Sequence, residues 1–285
     1  MVLIKSSKGF LTCLLLAAIF LTSCRISAPH SNITFRPLKD EILPPQSIPC
    51  FAGAWYRKAV SSFDEWTGIS GIIVLGTPTV DEARLNPKTG QPLDNFSVYM
   101  GGNAGGKQEV DAGLTWAFTQ DALTGKLSER RRAWRPFWRT ATWSNAPLSE
   151  NYSWYPGDTV RMEVSLIAPQ KLRLTVADAG ARPLKNFSVD FNADSFTQEI
   201  KRQFKRVNAI DQFGNEGKPV KPTYANVVNA QWLNTYFIRS RTKVPMNKYR
   251  FTDMRCSNAL HIVVTSLDAL HGAEKIDIFG MPQAN

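Results

Sequence analysis

Hydrophobic and polar residues alternate along much of this chain, and a period of two is typical of β-strands. The longest such stretch, residues 108–118, predicts one apolar face formed by Val110, Ala112, Leu114, Trp116 and Phe118, and an opposite face formed by Glu109, Asp111, Gly113 and Thr115. Shorter strand signals occur at 71–75, 95–100, 159–166, 172–176, 261–264 and 275–279. Residues 197–206 carry Ile200 and Phe204 four apart, which fits either a short helix or an edge strand. Many strands separated by turn residues predict an all-β sandwich or barrel of antiparallel sheets.

The first 24 residues differ from this pattern and resemble the export signal of bacterial lipoproteins. Lys5 and Lys8 precede an apolar run at 10–21, and the segment ends in Leu21-Thr22-Ser23-Cys24, which is similar to a lipobox. The resemblance implies removal of residues 1–23 and acylation of Cys24, which would hold the protein on a membrane, facing the periplasm or the exterior. The alternative is an ordinary secretory signal.

Length and composition place the rest of the chain in one globular domain. The 285 residues are 43% hydrophobic and 20% charged, which excludes disorder, collagen, coiled coil and a multi-pass membrane protein. Residues 24–48 are polar and rich in Pro, so we expect a lipidated tether there and a single domain over 49–285. The formal net charge is +10, and only Lys5 and Lys8 leave with the signal, so the mature chain stays basic. This charge suits a surface of anionic lipid headgroups.

Export leaves two cysteines for the folded domain. Cys13 departs with the signal and Cys24 is used for the lipid, so Cys50 and Cys256 remain. An oxidising compartment predicts a disulfide between them, the alternative being two buried thiols. The chain has three His and no phosphate loop or nucleophile elbow. We therefore expect no metal, no cofactor and no Ser or Cys triad, and a monomer.

Four segments, in order, resemble the glutamic peptidase (eqolisin) family. They are SVYMGG at 97–102 leading into VDAGL at 110–114, AWRPFW at 133–138, YPGDTV at 155–160, and NAQW at 229–232 with VP at 244–245 and YRFT at 249–252. The resemblance implies a concanavalin A-like jelly roll of two curved antiparallel sheets, with a groove on the concave face for an extended peptide or glycan. It also implies a Gln on the earlier strand that stabilises an oxyanion and a Glu on the later strand that acts as general base.

At these two positions the chain carries Asp111 and Gln231, so the carboxylate and the amide are exchanged between the strands. One base and one donor that face the same atom are what hydrolysis needs, which makes Asp111, Gln231 and Glu109 the candidate catalytic residues. Glu109-Val110-Asp111 also resembles the catalytic strand of laminarinase-like glycoside hydrolases. The second carboxylate of that strand would fall at Gly113 or Leu114, so another strand would have to supply it. The plain alternative is a solvated polar face.

Residues 128–139, SERRRAWRPFWR, combine five Arg with three aromatic residues. Such a segment suits a sugar ring or an anionic polymer, because indoles stack on sugars and guanidinium groups bind anions. Trp134, Arg135, Trp138 and Arg139, with Phe137 between them, are therefore the candidate ligand-binding residues. Export argues against nucleic acid as the ligand. The alternatives are buried tryptophans with surface arginines, and a non-catalytic lectin-like or structural lipoprotein of the cell envelope.

Overall fold

The computed structural model describes residues 35–88, 90–105, 109–120, 127–197 and 201–282. Its compact unit spans Pro37–Asn285, and Met1–Arg36 form a separate unit. Cys24, the export signal and the first part of the predicted tether lie outside the described residues. Among the described residues, no helix is long and apolar enough to cross a membrane.

The described part of the chain consists of sixteen strands and two short 3₁₀ helices. The strands are β1 (Ala54–Val60), β2 (Trp66–Val74), β3 (Thr77–Thr79), β4 (Asp94–Asn103), β5 (Val110–Gln120), β6 (Leu127–Arg139), β7 (Trp143–Asn145), β8 (Thr159–Ala168), β9 (Lys171–Asp178), β10 (Asn186–Asn192), β11 (Gln203–Gln212), β12 (Asn226–Arg239), β13 (Thr242–Pro245), β14 (Thr252–Cys256), β15 (Ile262–Asp268) and β16 (Ala273–Phe279). The 3₁₀ helices are η1 (Glu150–Tyr152) and η2 (Ala259–His261). The helix considered for 197–206 is not formed where the structure describes it, because β11 begins at Gln203.

The strands form two antiparallel sheets, as the alternating pattern predicts. The first sheet has seven strands in the order β14-β1-β11-β4-β5-β6-β7. The second sheet has nine strands. Seven of them lie side by side in the order β10-β9-β8-β2-β12-β16-β15, and β3 and β13 each pair with β12. The fold class is therefore the predicted all-β sandwich.

The core lies between the sheets and uses one face of each strand. On β5 the predicted apolar face is confirmed for Val110, Ala112, Leu114 and Trp116, which are buried in the main hydrophobic cluster, and the side chain of Phe118 lies outside the described residues. On β11 the inward residues include Arg206, whose guanidinium pairs with Glu274 of β16 and donates to the Thr235 hydroxyl. Arg57 of β1 reaches the same carboxylate at 3.0 Å. The two sheets are therefore joined by a buried ionic cluster as well as by apolar contacts.

The segment before β1 lies against the sandwich, although its composition predicts a tether up to residue 48. Glu41 forms an ion pair of 2.6 Å with Arg250, and both side chains are buried. The Thr252 hydroxyl donates to the carbonyl of Pro45, and Ile48 packs on a small apolar cluster of the first sheet. The predicted disulfide is confirmed and joins Cys50 to Cys256 at the end of β14. This segment is thus fixed to the domain from Pro37 onward.

Candidate binding groove

A groove of about 890 Å³ lies over the face of the seven-stranded sheet that points away from the core. Its lining comes from β1, β4, β5, β6, β7 and β11 and from the loops beside them. The aromatic members are Phe51, Tyr99, Trp116, Phe137, Trp143 and Phe213, and the charged members are Asp94, Asp111, Arg139, Asp211 and Glu216. We call this feature the binding groove. Its volume lies within the range of small-ligand sites in proteins.

Four residues in register across neighbouring strands lie at one end of the groove, and two of them, Asp111 and Arg139, line it. Lys205 of β11 is opposite Gly101 of β4, Gly101 is opposite Asp111 of β5, and Asp111 is opposite Arg139 of β6. We call them the charge row. Because Gly101 has no side chain, Lys205 reaches across β4 and places Nζ 2.6 Å from Oδ1 of Asp111. Arg139 donates to the other carboxylate oxygen. Asp111 is 3% exposed, and its carboxylate is held between the two cations Lys205 and Arg139.

Gly101 is required at this position by its surroundings as well as by the reach of Lys205. Its φ of 154° lies where side chains are disfavoured. A Cβ added there would lie 1.9 Å from the carbonyl oxygen of Val110. A glycine at position 101 is therefore what allows the Lys205 side chain of β11 to cross β4 and pair with Asp111 of β5.

Glu109 extends the charge row with two lysines. Lys58 of β1 places Nζ 3.2 Å from Glu109 Oε1, and Lys205 also contacts this carboxylate. Burial raises the pKa of Glu109, but the two ammonium groups outweigh it and lower the value to about 2. Burial and the neighbouring Lys205 lower the pKa of Lys58, whereas Asp111 and Glu109 outweigh burial and raise the pKa of Lys205. Three cations face two carboxylates, so the cluster carries a formal net charge of +1.

A second carboxyl group lines the groove at Asp211 of β11. It accepts a hydrogen bond of 2.7 Å from the Ser97 hydroxyl, and no cation pairs with it among the described residues. Burial raises its pKa to about 6, and the charge of Asp111 adds to this effect. Tyr99 interacts with both carboxylates, and burial together with their charges raises its pKa well above 10. Asp211 can therefore take up a proton in mildly acidic solution.

Flat aromatic faces border the groove. Phe137 and Trp143 stack with ring centres 4.3 Å apart and planes 4° from parallel, and Trp143 is 45% exposed. Phe51 stacks on Tyr56 at 4.2 Å, and Phe213 is 75% exposed. Rings fixed in this way expose an apolar face at little conformational cost, which is what a sugar or an extended side chain needs.

The structure brings together only some of the predicted catalytic residues. Asp111 and Glu109 both belong to the charged end of the first sheet, as the alternation on β5 predicts. Gln231 lies on β12 of the second sheet, between Ala230 and Trp232, which are both buried in the protein interior. Its side chain therefore points away from the core on the far side of the sandwich. The predicted pairing of Asp111 with Gln231 is not formed, and the residues that meet Asp111 are Lys205 and Arg139.

The Trp-rich segment needs a similar correction. Trp134 is buried in the core, where its indole donates to the carbonyl of Gly76, and Trp138 packs against Phe187 on the same side. Of the five candidate residues on β6, alternation puts Arg135, Phe137 and Arg139 on the groove side. Arg135 is buried there and donates to the carbonyl of Ser149 at 3.3 Å. The predicted site thus keeps Arg139 of its four members in the lining, with Phe137 beside it.

Comparison with known proteins establishes the fold of this chain and nothing beyond the fold. No family model matches the chain, and no curated protein matches it in sequence. A crystal structure of scytalido-glutamic peptidase with a transition-state analogue inhibitor is similar, with a TM-score of 0.51 and 7% identity over 79% of this chain and 98% of that one. A member of the eqolisin peptidases in complex with a tripeptide has a TM-score of 0.47, 7% identity and the same coverage. The class defined here is a β-sandwich with the fold of glutamic peptidases.

Proposed function

We propose that this protein is a lipid-anchored, extracytoplasmic binding protein whose groove holds an extended peptide or glycan without hydrolysing it. The observation that carries the proposal is the charge row at one end of an otherwise open groove. Exposed aromatic faces at Trp143, Phe51 and Phe213 give the ligand surfaces to stack on. Asp211 gives it a polar group that is not engaged by a cation among the described residues.

The charge row argues against the hydrolysis that the family resemblance implies. A general base must accept a proton from water, and Asp111 is instead held by Lys205 at 2.6 Å and by Arg139. The family's oxyanion donor is an amide, and the residue that reaches Asp111 from β11 is instead Lys205. These ion pairs thus occupy the carboxylate oxygens of Asp111, which a general base would need free to accept a proton.

The disulfide supports the predicted export, since such bonds persist in oxidising compartments. The lipid anchor rests on the sequence of residues 21–24 alone. Replacing Cys24 by Ser should release the protein from the membrane fraction into the soluble fraction. Full membrane attachment of that variant would contradict acylation.

Binding is tested with peptide and glycan arrays, using the wild type and Trp143→Ala. Loss of an exposed stacking face should weaken binding by ~10-fold or more. Tyr224→Ala is the matched control, because Tyr224 is 74% exposed and is not part of the groove lining. Failure of the wild type to bind any peptide or glycan, or equal binding by Trp143→Ala, would refute the proposal. Cleavage of protein substrates that is lost in Asp111→Asn would refute its non-hydrolytic part.

One observation favours a second candidate, a glycoside hydrolase. The resemblance on β5 lacks a second carboxyl group, and Asp211 of β11 supplies one in the lining of the same groove, where burial and the charge of Asp111 raise its pKa to about 6. Two carboxyl groups in different environments are what such hydrolysis uses. Release of reducing sugar from β-glucans by the wild type, abolished in Asp211→Asn, would establish it. Absence of turnover would leave the binding function.

A further inference from the structure

A small cavity of about 120 Å³ opens on the outer face of the nine-stranded sheet, away from the binding groove. It is lined by Ser70, Ile72, Arg161, Asn234, Tyr236 and Lys243. The register explains this grouping. Ser70 of β2 is opposite Tyr236 of β12, and Ile72 is opposite both Asn234 of β12 and Arg161 of β8. Ile69 and Ile73 of β2 point into the core, so Ser70 and Ile72 point outward.

Ser70 is the unusual member of this cavity. It is 1% exposed, and its hydroxyl has no hydrogen-bond partner. A buried hydroxyl without a partner is costly, and most such groups are satisfied by protein, water or a ligand. Its position in the cavity lining makes the cavity the place where a partner would sit.

Two cationic side chains line the same cavity. Arg161 forms no hydrogen bond or ion pair with any described residue, so its guanidinium is available. Lys243 lies 3.9 Å from Glu163, and this contact is too long for a hydrogen bond. Both side chains of that pair are partly exposed, which weakens their attraction. The two cations and the one carboxylate together leave a net positive charge.

We propose that this cavity is an oxyanion site for a phosphate group, with Arg161 and Lys243 as its cations and Ser70 as its neutral donor. The planar fork of Arg161 suits two oxygens of one phosphate, and Lys243 supplies a second charge. The Ser70 hydroxyl donates to a third oxygen. The same chemistry serves a free phosphate ester and a phospholipid headgroup, and the experiment separates them.

The full chain is titrated with inorganic phosphate and with glycerol phosphate by calorimetry. Arg161→Gln should weaken phosphate binding by ~10-fold or more, because one charge-assisted contact is lost. Arg173→Gln is the matched control, because Arg173 is exposed on neighbouring β9 and is already paired with Asp190. It should leave the affinity unchanged. Equal affinities of Arg161→Gln and wild type would overturn the proposal.

Ser70→Ala separates a ligand-binding role from a structural one. Because the hydroxyl has no partner in the protein, its removal should leave the midpoint of thermal unfolding unchanged or higher, while phosphate affinity falls ~3-fold or more. A lower midpoint with unchanged phosphate affinity would overturn the assignment of Ser70.

Vesicles distinguish the two sources of phosphate, once Cys24→Ser has removed any lipid attachment. Binding to phosphatidylcholine vesicles that contain phosphatidic acid, but not to pure phosphatidylcholine, identifies a headgroup, provided that Arg161→Gln abolishes it. Phosphate binding in solution without vesicle binding identifies a soluble ester. Absence of binding in both assays would overturn the proposal.

Discussion

Replacing Glu109 by Gln removes the carboxylate that Lys58 and Lys205 share, and the structure gives the size of the effect. The pKa of Glu109 falls from 4.5 to about 2 on folding. A shift of this size corresponds to at most ~3.4 kcal/mol, since one pKa unit is about 1.4 kcal/mol. The side chain is 35% exposed, so solvent screening reduces this to about 1–2 kcal/mol. In the variant Lys58 also loses its carboxylate partner, whereas Lys205 keeps Asp111.

The pH dependence follows from the sign of the shift. Because the folded pKa lies below the unfolded one, the carboxylate stabilises the fold fully above pH 4.5 and ceases to do so as the pH falls to about 2. Urea unfolding at a series of pH values measures this directly. The wild type should lose about 1–2 kcal/mol more than Glu109→Gln across that interval. Glu82→Gln is the control, because Glu82 is exposed and has no ion pair within the described structure.

Parallel loss of stability in wild type and Glu109→Gln between pH 5 and 2 would refute the reasoning. It would mean that the lysines are compensated in other ways and that the carboxylate gains nothing from them. Equal stability of wild type and Glu109→Gln at pH 7 would also refute the reasoning. A difference seen for Glu82→Gln as well would assign the effect to net charge in general.

Three further predictions concern the framework of the groove. Gly101→Ala should destabilise the fold by about 2–4 kcal/mol through contact with the Val110 carbonyl, and an unchanged urea midpoint would contradict the close approach. Joint replacement of Cys50 and Cys256 by Ala should cost up to about 5 kcal/mol, given a separation of 206 residues; wild type in reductant should match the variant. Glu274→Gln should cost about 3–5 kcal/mol, because it leaves buried Arg206 without a carboxylate partner and Arg57 with Asp253 alone, and calorimetric melting at neutral pH checks this.

The alternation of β5 made the fold and one side of the groove predictable. Strict period-2 patterning can be satisfied in only one orientation when one face is buried, so Asp111 and Gly113 had to point outward. The disulfide was predictable on the expectation of export, which would leave only Cys50 and Cys256 for the folded domain. These inferences depend on local pattern and on counting, which the sequence carries directly.

The tryptophans of β6 were misread because composition was given more weight than register. Trp134 and Trp138 are four residues apart on one strand and therefore share a face, and that face is the core. On β11 the pattern is hidden by the consecutive basic residues Lys205 and Arg206, one on the groove side of the first sheet and one between the sheets. A charged residue that points into the core looks the same in sequence as one that points outward.

Gln231 shows why similarity of short motifs did not locate the reactive pair. The NAQW segment resembles the later strand of the family except at Gln231, yet its strand belongs to the second sheet, and Trp232 of that segment fills the core. Which residue faces Asp111 is decided by sheet order, β11-β4-β5, and by a glycine on the strand between. Strand order is a long-range property that no window of sequence contains. The same sheet order places Lys205 beside Asp111. The ion pair that argues against hydrolysis is therefore a consequence of sheet topology together with the side chains of Lys205 and Asp111.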